Sequence, residues 1–295
     1  MLEFRQIKLS DKDWIDEALK KSDFRGCEYS FANNVAWCRL SDTKISRYKD
    51  FYLSASFEYE FFNLTFPAGS GDYKELFDKM LEFSSEIGKR LKLNGVNSDM
   101  LKVLTQLYGE DRLEVEADRD YFDYIYKAED LINLSGKKYH GKRNHIKRFK
   151  ESDWSFVPID ESLIDDCFEF SAKSFNASDK FDEHSAVVEQ YAINTFLTNF
   201  KYLNLSGGVL YQNGEMVGFT IGEKLNSDTF VVHIEKALSK VNGAYPCLCN
   251  EFARAQASDC LYINREEDLG IEGLRKSKES YRPAFMYEKN TVIFK

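Results

Sequence analysis

"VLYQNGEMVGFTIGEKLNSDTFVVHIEKA" (residues 209–237) is the stretch whose reading decides the fold. Two runs of β-forming residues flank Asn213-Gly214, a pair suited to the positive φ angles of a two-residue hairpin turn. A third run, at 229–237, follows a polar turn, so the stretch predicts a three-stranded meander. Downstream, "AYPCLCNEFARAQA" (244–257) predicts a helix, "CLYIN" (260–264) a strand, and the segment around 270–280 a further helix before a last strand at 284–294. Upstream, 161–175 and 183–203 read as two helices. The resulting order is helix, helix, three strands, helix, strand, helix, strand.

The first half is a rougher version of that order. A short helix at 11–21 is followed by a polar, aromatic stretch at 27–40 and by one or two strands at 50–69. Asp72 opens a helix with apolar residues at Leu76, Phe77, Met80, Leu81 and Ile87. Residues 98–109 predict a second helix, with Ser98 as N-cap and Gly109 as stop, and 112–131 alternates as strands. The expectation is an α+β chain of two lobes, each a mixed sheet flanked by helices: 1–135, a connecting basic helix at 136–150, and 151–295.

The chain has 295 residues and a net charge of −9, so it is no general nucleic-acid coat, and any anion must meet a local basic patch. There is no basic-then-apolar secretory leader and no run of about 18–20 apolar residues, which predicts a cytoplasmic protein without a transmembrane segment. The six cysteines are then expected as reduced, buried thiols. Cys247-x-Cys249 has no second pair at zinc spacing, and no metal site is expected.

The basic patch is "KKYHGKRNHIKRFK" (137–150), with seven Lys and Arg and no acidic residue. Arg143 and Lys147 are four apart, Ile146 and Phe149 turn inward, and Lys142 lies beside them. The run reads either as a grip for phosphates or as a solvated helix. His233 and Glu235, two apart on a strand, are expected on one face as general-base candidates; the alternatives are an exposed strand pair, or Glu235 simply paired to a basic residue. In "NREEDLGIEGLRKSKESYRP" (264–283), Asp268 is expected to cap the last helix, with Arg265 just before it. Gly270, Gly273 and Ser277 form a small-residue stripe that predicts a close neighbour. Glu272–Lys276 and Arg275–Glu279 are i,i+4 pairs, whereas Lys278 has Leu274 at i−4.

The helix "GLRKSKESYRP", with Gly273, Leu274, Arg275, Lys278, Tyr281 and Pro283, together with the hairpin and "HIEKA", resembles the C-terminal domain of bacterial phosphatidylglycerol lysyltransferases. Those domains are tandem GNAT lobes, related in fold to Fem-type ligases that use aminoacyl-tRNA. The layout covers most of the chain, and the specific motif about its last third. The resemblance implies transfer of an aminoacyl or acyl group to an amine or hydroxyl, with no metal or redox cofactor. It implies Glu235, Asp268 or His233 as base. Arg265, Gly270, Gly273, Arg275, Lys278, Tyr281, Lys142, Arg143 and Lys147 would then line the substrates. Aminoacyl-tRNA would contact residues 137–150, and anionic lipid would be met peripherally. GNAT enzymes cradle coenzyme A with a Gly-rich loop; here "VNGAYPCLCNEF" keeps only Gly243, which favours an aminoacyl-tRNA donor over acyl-CoA. An acyl-CoA-dependent N-acyltransferase and a non-catalytic anion-binding module of the same fold are the alternatives.

Overall fold

The computed structural model describes residues 2–40, 42–176 and 183–295, with the side chains of 175–176 and 183–186 excepted. The chain divides into two compact units. The first comprises Met1–Asp123, Glu267–Gly270 and Met286–Lys295, and the second Tyr124–Glu266 and Ile271–Phe285.

The first unit begins with β1 (Arg5–Gln6), α1 (Lys12–Ser22) and α2 (Phe31–Trp37), the last lying in the stretch that sequence periodicity leaves without a regular element. Ser30 caps α2 by accepting the Asn33 amide, and Phe31, Ala32 and Ala36 bury its inner face. Then follow β2 (Lys44–Tyr48), β3 (Phe51–Phe57), β4 (Phe61–Thr65), the short β5 (Ala68–Gly69), α3 (Tyr73–Glu86), β6 (Arg90–Val96), α4 (Ser98–Tyr108) and β7 (Leu113–Ala117). Asp72 caps α3 as expected, but Asn97 rather than Ser98 caps α4, its carboxamide oxygen accepting the amides of Asp99 and Met100. Strands β4 and β6 run parallel because α3 carries the chain back between them. Phe62, Phe66 and Phe77 are buried between α3 and the sheet, each contributing about 1.5–3 kcal/mol.

The second unit takes β8 (Asp123–Lys127) from Tyr124 on, α5 (Ala128–Asn133), α6 (His140–Phe149), β9 (Trp154–Pro158), α7 (Ile164–Asn176), α8 (Glu183–Thr198), β10 (Ser206–Gln212), β11 (Glu215–Lys224), β12 (Thr229–Ala237), α9 (Ala244–Gln256), β13 (Tyr262–Asn264), α10 (Glu272–Glu279) and the first residue of β14 (Phe285–Tyr287). Its sheet order is β14-β8-β13-β12-β11-β10-β9. The β10–β11 hairpin turns on Asn213 (φ 52°) and Gly214 (φ 80°), as the opening stretch predicts. Strands β12 and β13 are parallel and joined by α9, repeating the β4-α3-β6 arrangement. The fold is thus a tandem GNAT fold, two mixed sheets flanked by helices.

Two features depart from the sequence reading of the lobes. The tail at 284–294 is two strands, not one: β14 joins the second sheet, while β15 (Asn290–Phe294) inserts between β6 and β7 of the first. The basic helix α6 lies inside the second unit, where Ile146 and Phe149 pack in one core with Cys247 and Leu248 of α9.

Candidate functional site

The meander places the site, but with a shift that strand alternation does not predict. Strand β12 pairs Ile221 with Ile234 and Gly222 with Val232, so His233 is the extra residue of a β-bulge. A bulge resets the alternation, and the two candidate bases part company. His233 stacks on the Phe196 ring of α8 at 5.2 Å, and Lys236 pairs with Glu189 of the same helix. Glu235 is paired in register with Thr220, on the opposite face, and accepts a hydrogen bond from Arg265 Nη2 at 2.7 Å. The single-face expectation for His233 and Glu235 is therefore overturned.

His233 is buried and held by two carboxylates: Nδ1 lies 2.9 Å from Glu266 and Nε2 3.0 Å from Glu223. Burial alone would lower its pKa, but the hydrogen bonds to Glu223 and Glu266 prevail and raise it to about 9. At neutral pH both ring nitrogens carry protons, and His233 is a cationic clamp rather than a proton acceptor.

Arg265 is only 8% exposed. Its guanidinium lies 4.8 Å from the Tyr281 ring centroid and 5.7 Å from that of Tyr126, and its Nη1 has no hydrogen-bond acceptor among the described residues. Tyr126 itself donates to the Lys278 carbonyl at 2.8 Å, and Tyr139 donates to the Tyr281 carbonyl at 2.9 Å, so α10 and the turn after it are tied to β8 and to the start of α6. Lys142 brings its ammonium to 3.7 Å from the Tyr281 centroid. Burial, reinforced by Arg265, lowers its pKa to about 8. Lys142, Glu235, Arg265 and Tyr281 thus lie together in the second unit.

The rest of the basic run divides. Lys138 pairs with Asp130 at 3.0 Å, and Lys150 pairs with Glu251 at 2.5 Å. Arg143 donates to the carbonyls of Leu134 and Gly136, satisfying the end of α5. Lys137, Lys147 and Arg148 face solvent.

Several expectations for residues 264–283 are corrected. Asp268 does not cap the last helix: Ile271 occupies the N-cap position of α10. The Asp268 carboxylate is fully buried, accepts the Gly270 amide at 2.9 Å and pairs with Arg119 at 3.2 Å, all within the first unit. Gly270 lies before the helix at φ 73°, where a Cβ would meet Asp120 Oδ2 at 2.6 Å, whereas a Cβ on Gly273 would meet nothing within 4 Å. The small-residue stripe is therefore no continuous close-approach face; Gly270 serves a turn. Lys276 does pair with Glu272, as expected. Lys278 holds its ammonium 5.8 Å from the Tyr124 ring centroid, and the Arg275 amide donates to the Ile271 carbonyl at the start of α10.

One group of metal-ligand type lies among the described residues: Cys27, Asp123 and Glu267, in the first unit, with ligand atoms within 4.8 Å of one another. The Lys289 ammonium lies 2.7 Å from Asp123, 3.4 Å from Glu28, and 3.6 Å from both Glu267 and Cys27 Sγ. A lysine thus already holds the cation position. Sequence spacing could not reveal this cluster, whose members are scattered from Cys27 to Lys289.

A family profile described as phosphatidylglycerol lysyltransferase, C-terminal, matches residues 19–292. The chain belongs to this family. The structure of a conserved protein of unknown function from Bacteroides thetaiotaomicron is 39% identical, covers 100% of both chains and superposes with a TM-score of 0.93. L-PGS from Bacillus licheniformis shares the fold at 13% identity and a TM-score of 0.67, over 97% of this chain and 92% of that one. An uncharacterised protein of Mycoplasmoides gallisepticum is 23% identical over 175 residues, 58% of this chain and 55% of that protein, so the match spans about half the length of that relative. Membership of the lysyltransferase C-terminal family supports a transferase of the acyl or aminoacyl type. No helix among the described residues is long and apolar enough to cross a membrane.

Proposed function

We propose that this chain moves an aminoacyl group from aminoacyl-tRNA to an amine or hydroxyl of an acceptor. The observation that carries the reading is the Glu235–Arg265 pair inside a chain of the lysyltransferase family. Breaking the aminoacyl ester with an incoming N–H or O–H requires a proton acceptor at the acceptor atom. Arg265 holds one oxygen of Glu235 and, among the described residues, leaves Oε2 without a side-chain donor, so the carboxylate is fixed in orientation yet able to take that proton. His233 cannot share the task at neutral pH, because its lone pairs are already engaged. Lys137, Lys147 and Arg148 offer solvent-facing cations to the tRNA backbone.

Gly243 supports this donor over acyl-CoA. It stands at φ 87° at the start of α9, where a Cβ would come within 2.4 Å of the His145 carbonyl oxygen and 2.9 Å of Phe149 Cβ. Close packing of α6 explains this glycine, so it need not be a remnant of a phosphate cradle. Incubating the chain with a mixture of charged tRNAs and candidate acceptors, anionic lipid vesicles included, tests the reading. Aminoacylated acceptor is the expected product; persistence of every tRNA ester together with absence of tRNA binding at low salt would sink it.

A further inference from the structure

The cluster around Tyr281 contains more positive charge than its own residues balance. Four elements packed around it contribute ionisable side chains: Lys142 from α6, Glu235 from β12, Cys249 from α9 and Tyr126 from β8, with Arg265 after β13 and Tyr281 after α10 completing the shell. Burial raises the pKa of Cys249 to about 12 and drives Tyr126 and Tyr281 upward, so all three stay neutral. That leaves two cations against one carboxylate. Glu235 is committed to Arg265 Nη2, while Arg265 Nη1 is buried without an acceptor among the described residues. Lys142 is half-buried and makes no ion pair among the described residues; its ammonium lies over the Tyr281 ring. A buried guanidinium donor left unpaired is destabilising, and a ligand that satisfies it removes that cost.

We propose that Lys142 and Arg265 form a subsite for one singly charged oxyanion, a carboxylate or a phosphodiester, bridged between the Lys142 ammonium and Arg265 Nη1. Arg265 Nη1 donates a charge-assisted hydrogen bond to one oxygen of such a group, and Lys142 supplies a point charge to it. In the context of the transferase reading, on which this assignment to the acceptor rests, the anion belongs to the acceptor and brings its hydroxyl or amine toward Glu235. Binding also restores charge balance, so Lys142 becomes more firmly protonated when the subsite is filled.

The full-length chain at low salt is treated with an amine-acylating reagent near pH 8, and labelling of Lys142 and of exposed Lys147 is read by peptide mass spectrometry. Acetate, dimethyl phosphate and inorganic phosphate are the probes, with chloride at matched ionic strength as control. Protection of Lys142 by several-fold, with Lys147 unaffected, and a rise in Tm beyond the chloride effect are the expected results. Lys142→Met abolishes the rise. Acetate and dimethyl phosphate separate a carboxylate from a phosphodiester, and anionic-lipid vesicles compared with soluble dimethyl phosphate separate a membrane headgroup from a free ester. Equal labelling in every anion, or an undiminished Tm rise in Lys142→Met, would overturn the subsite. Should Lys142→Met fail to fold, protection in the unmodified chain still decides. None of these readouts requires tRNA or turnover, so the subsite and the transferase reading can fail separately.

Discussion

Arg265 Nη2 donates to Glu235 Oε1 at 2.7 Å, and this contact organises the site in the second unit. It orients the carboxylate, explains why an arginine is retained at 8% exposure, and leaves Nη1 for a ligand. Glu235→Gln preserves an acceptor for Arg265 while removing the proton acceptor. Transfer rate is expected to fall by about 10²–10⁴-fold, with acceptor affinity changed far less. A split of kcat from KM in single-turnover and steady-state assays checks this. Equal loss in both would make Glu235 a binding group only.

The His233 clamp gives a pH signature of stability. Its pKa is raised from 6.5 to about 9 in the folded chain, so its stabilisation is complete below 6.5 and disappears as pH climbs through about 9. The ceiling on that contribution is about 3 kcal/mol, at 1.36 kcal/mol per pH unit. Urea unfolding of the wild type and of His233→Gln from pH 6 to 9.5 should show a gap that narrows across this window. A constant gap would mean that the imidazole is neutral and merely packed on Phe196.

Two glycines should respond in opposite ways. Gly243→Ala forces a Cβ against the His145 carbonyl oxygen at a positive φ, so destabilisation by roughly 1–3 kcal/mol is expected. Gly273→Ala adds a methyl group to an open position inside α10 and is expected to gain up to about 1 kcal/mol. Thermal denaturation of both variants measures this. Lost activity with raised stability in Gly273→Ala would reveal a ligand that needs the bare backbone.

On α6, Lys147 and Arg148 are the cations facing solvent, whereas Arg143 caps carbonyls and Lys150 pairs with Glu251. Replacing Lys147 and Arg148 by Gln should weaken tRNA binding uniformly across tRNA species and reduce the slope of log K against log salt by up to about 2, with Tm little altered. An unchanged salt slope would remove α6 from the tRNA path.

The tandem α+β layout was legible because hairpin and helix signals are local: Asn213-Gly214 and Asp72 act through their own neighbours. Contacts set by irregular backbone were not. One extra residue at His233 reverses the facing of a strand, and alternation carries no mark of it. Likewise Asp268 looks like a helix cap until the turn through Gly270 directs it to Arg119. The seven cations at 137–150 suggested a single electrostatic patch, yet four of them are engaged by Asp130, Glu251, backbone carbonyls or the Tyr281 ring. Charge counting along the chain cannot anticipate partners that tertiary packing supplies.

The most direct test of the central claim is a transfer assay. Radiolabelled aminoacyl-tRNAs, added as a mixture, are incubated with the chain and a panel of amine, hydroxyl and anionic-lipid acceptors, and the label is followed from tRNA to acceptor. The account predicts label on an acceptor with the wild type and about 10²-fold less or weaker transfer with Glu235→Gln. Wild-type label that remains wholly on tRNA, or transfer by Glu235→Gln at the full wild-type rate, would contradict it.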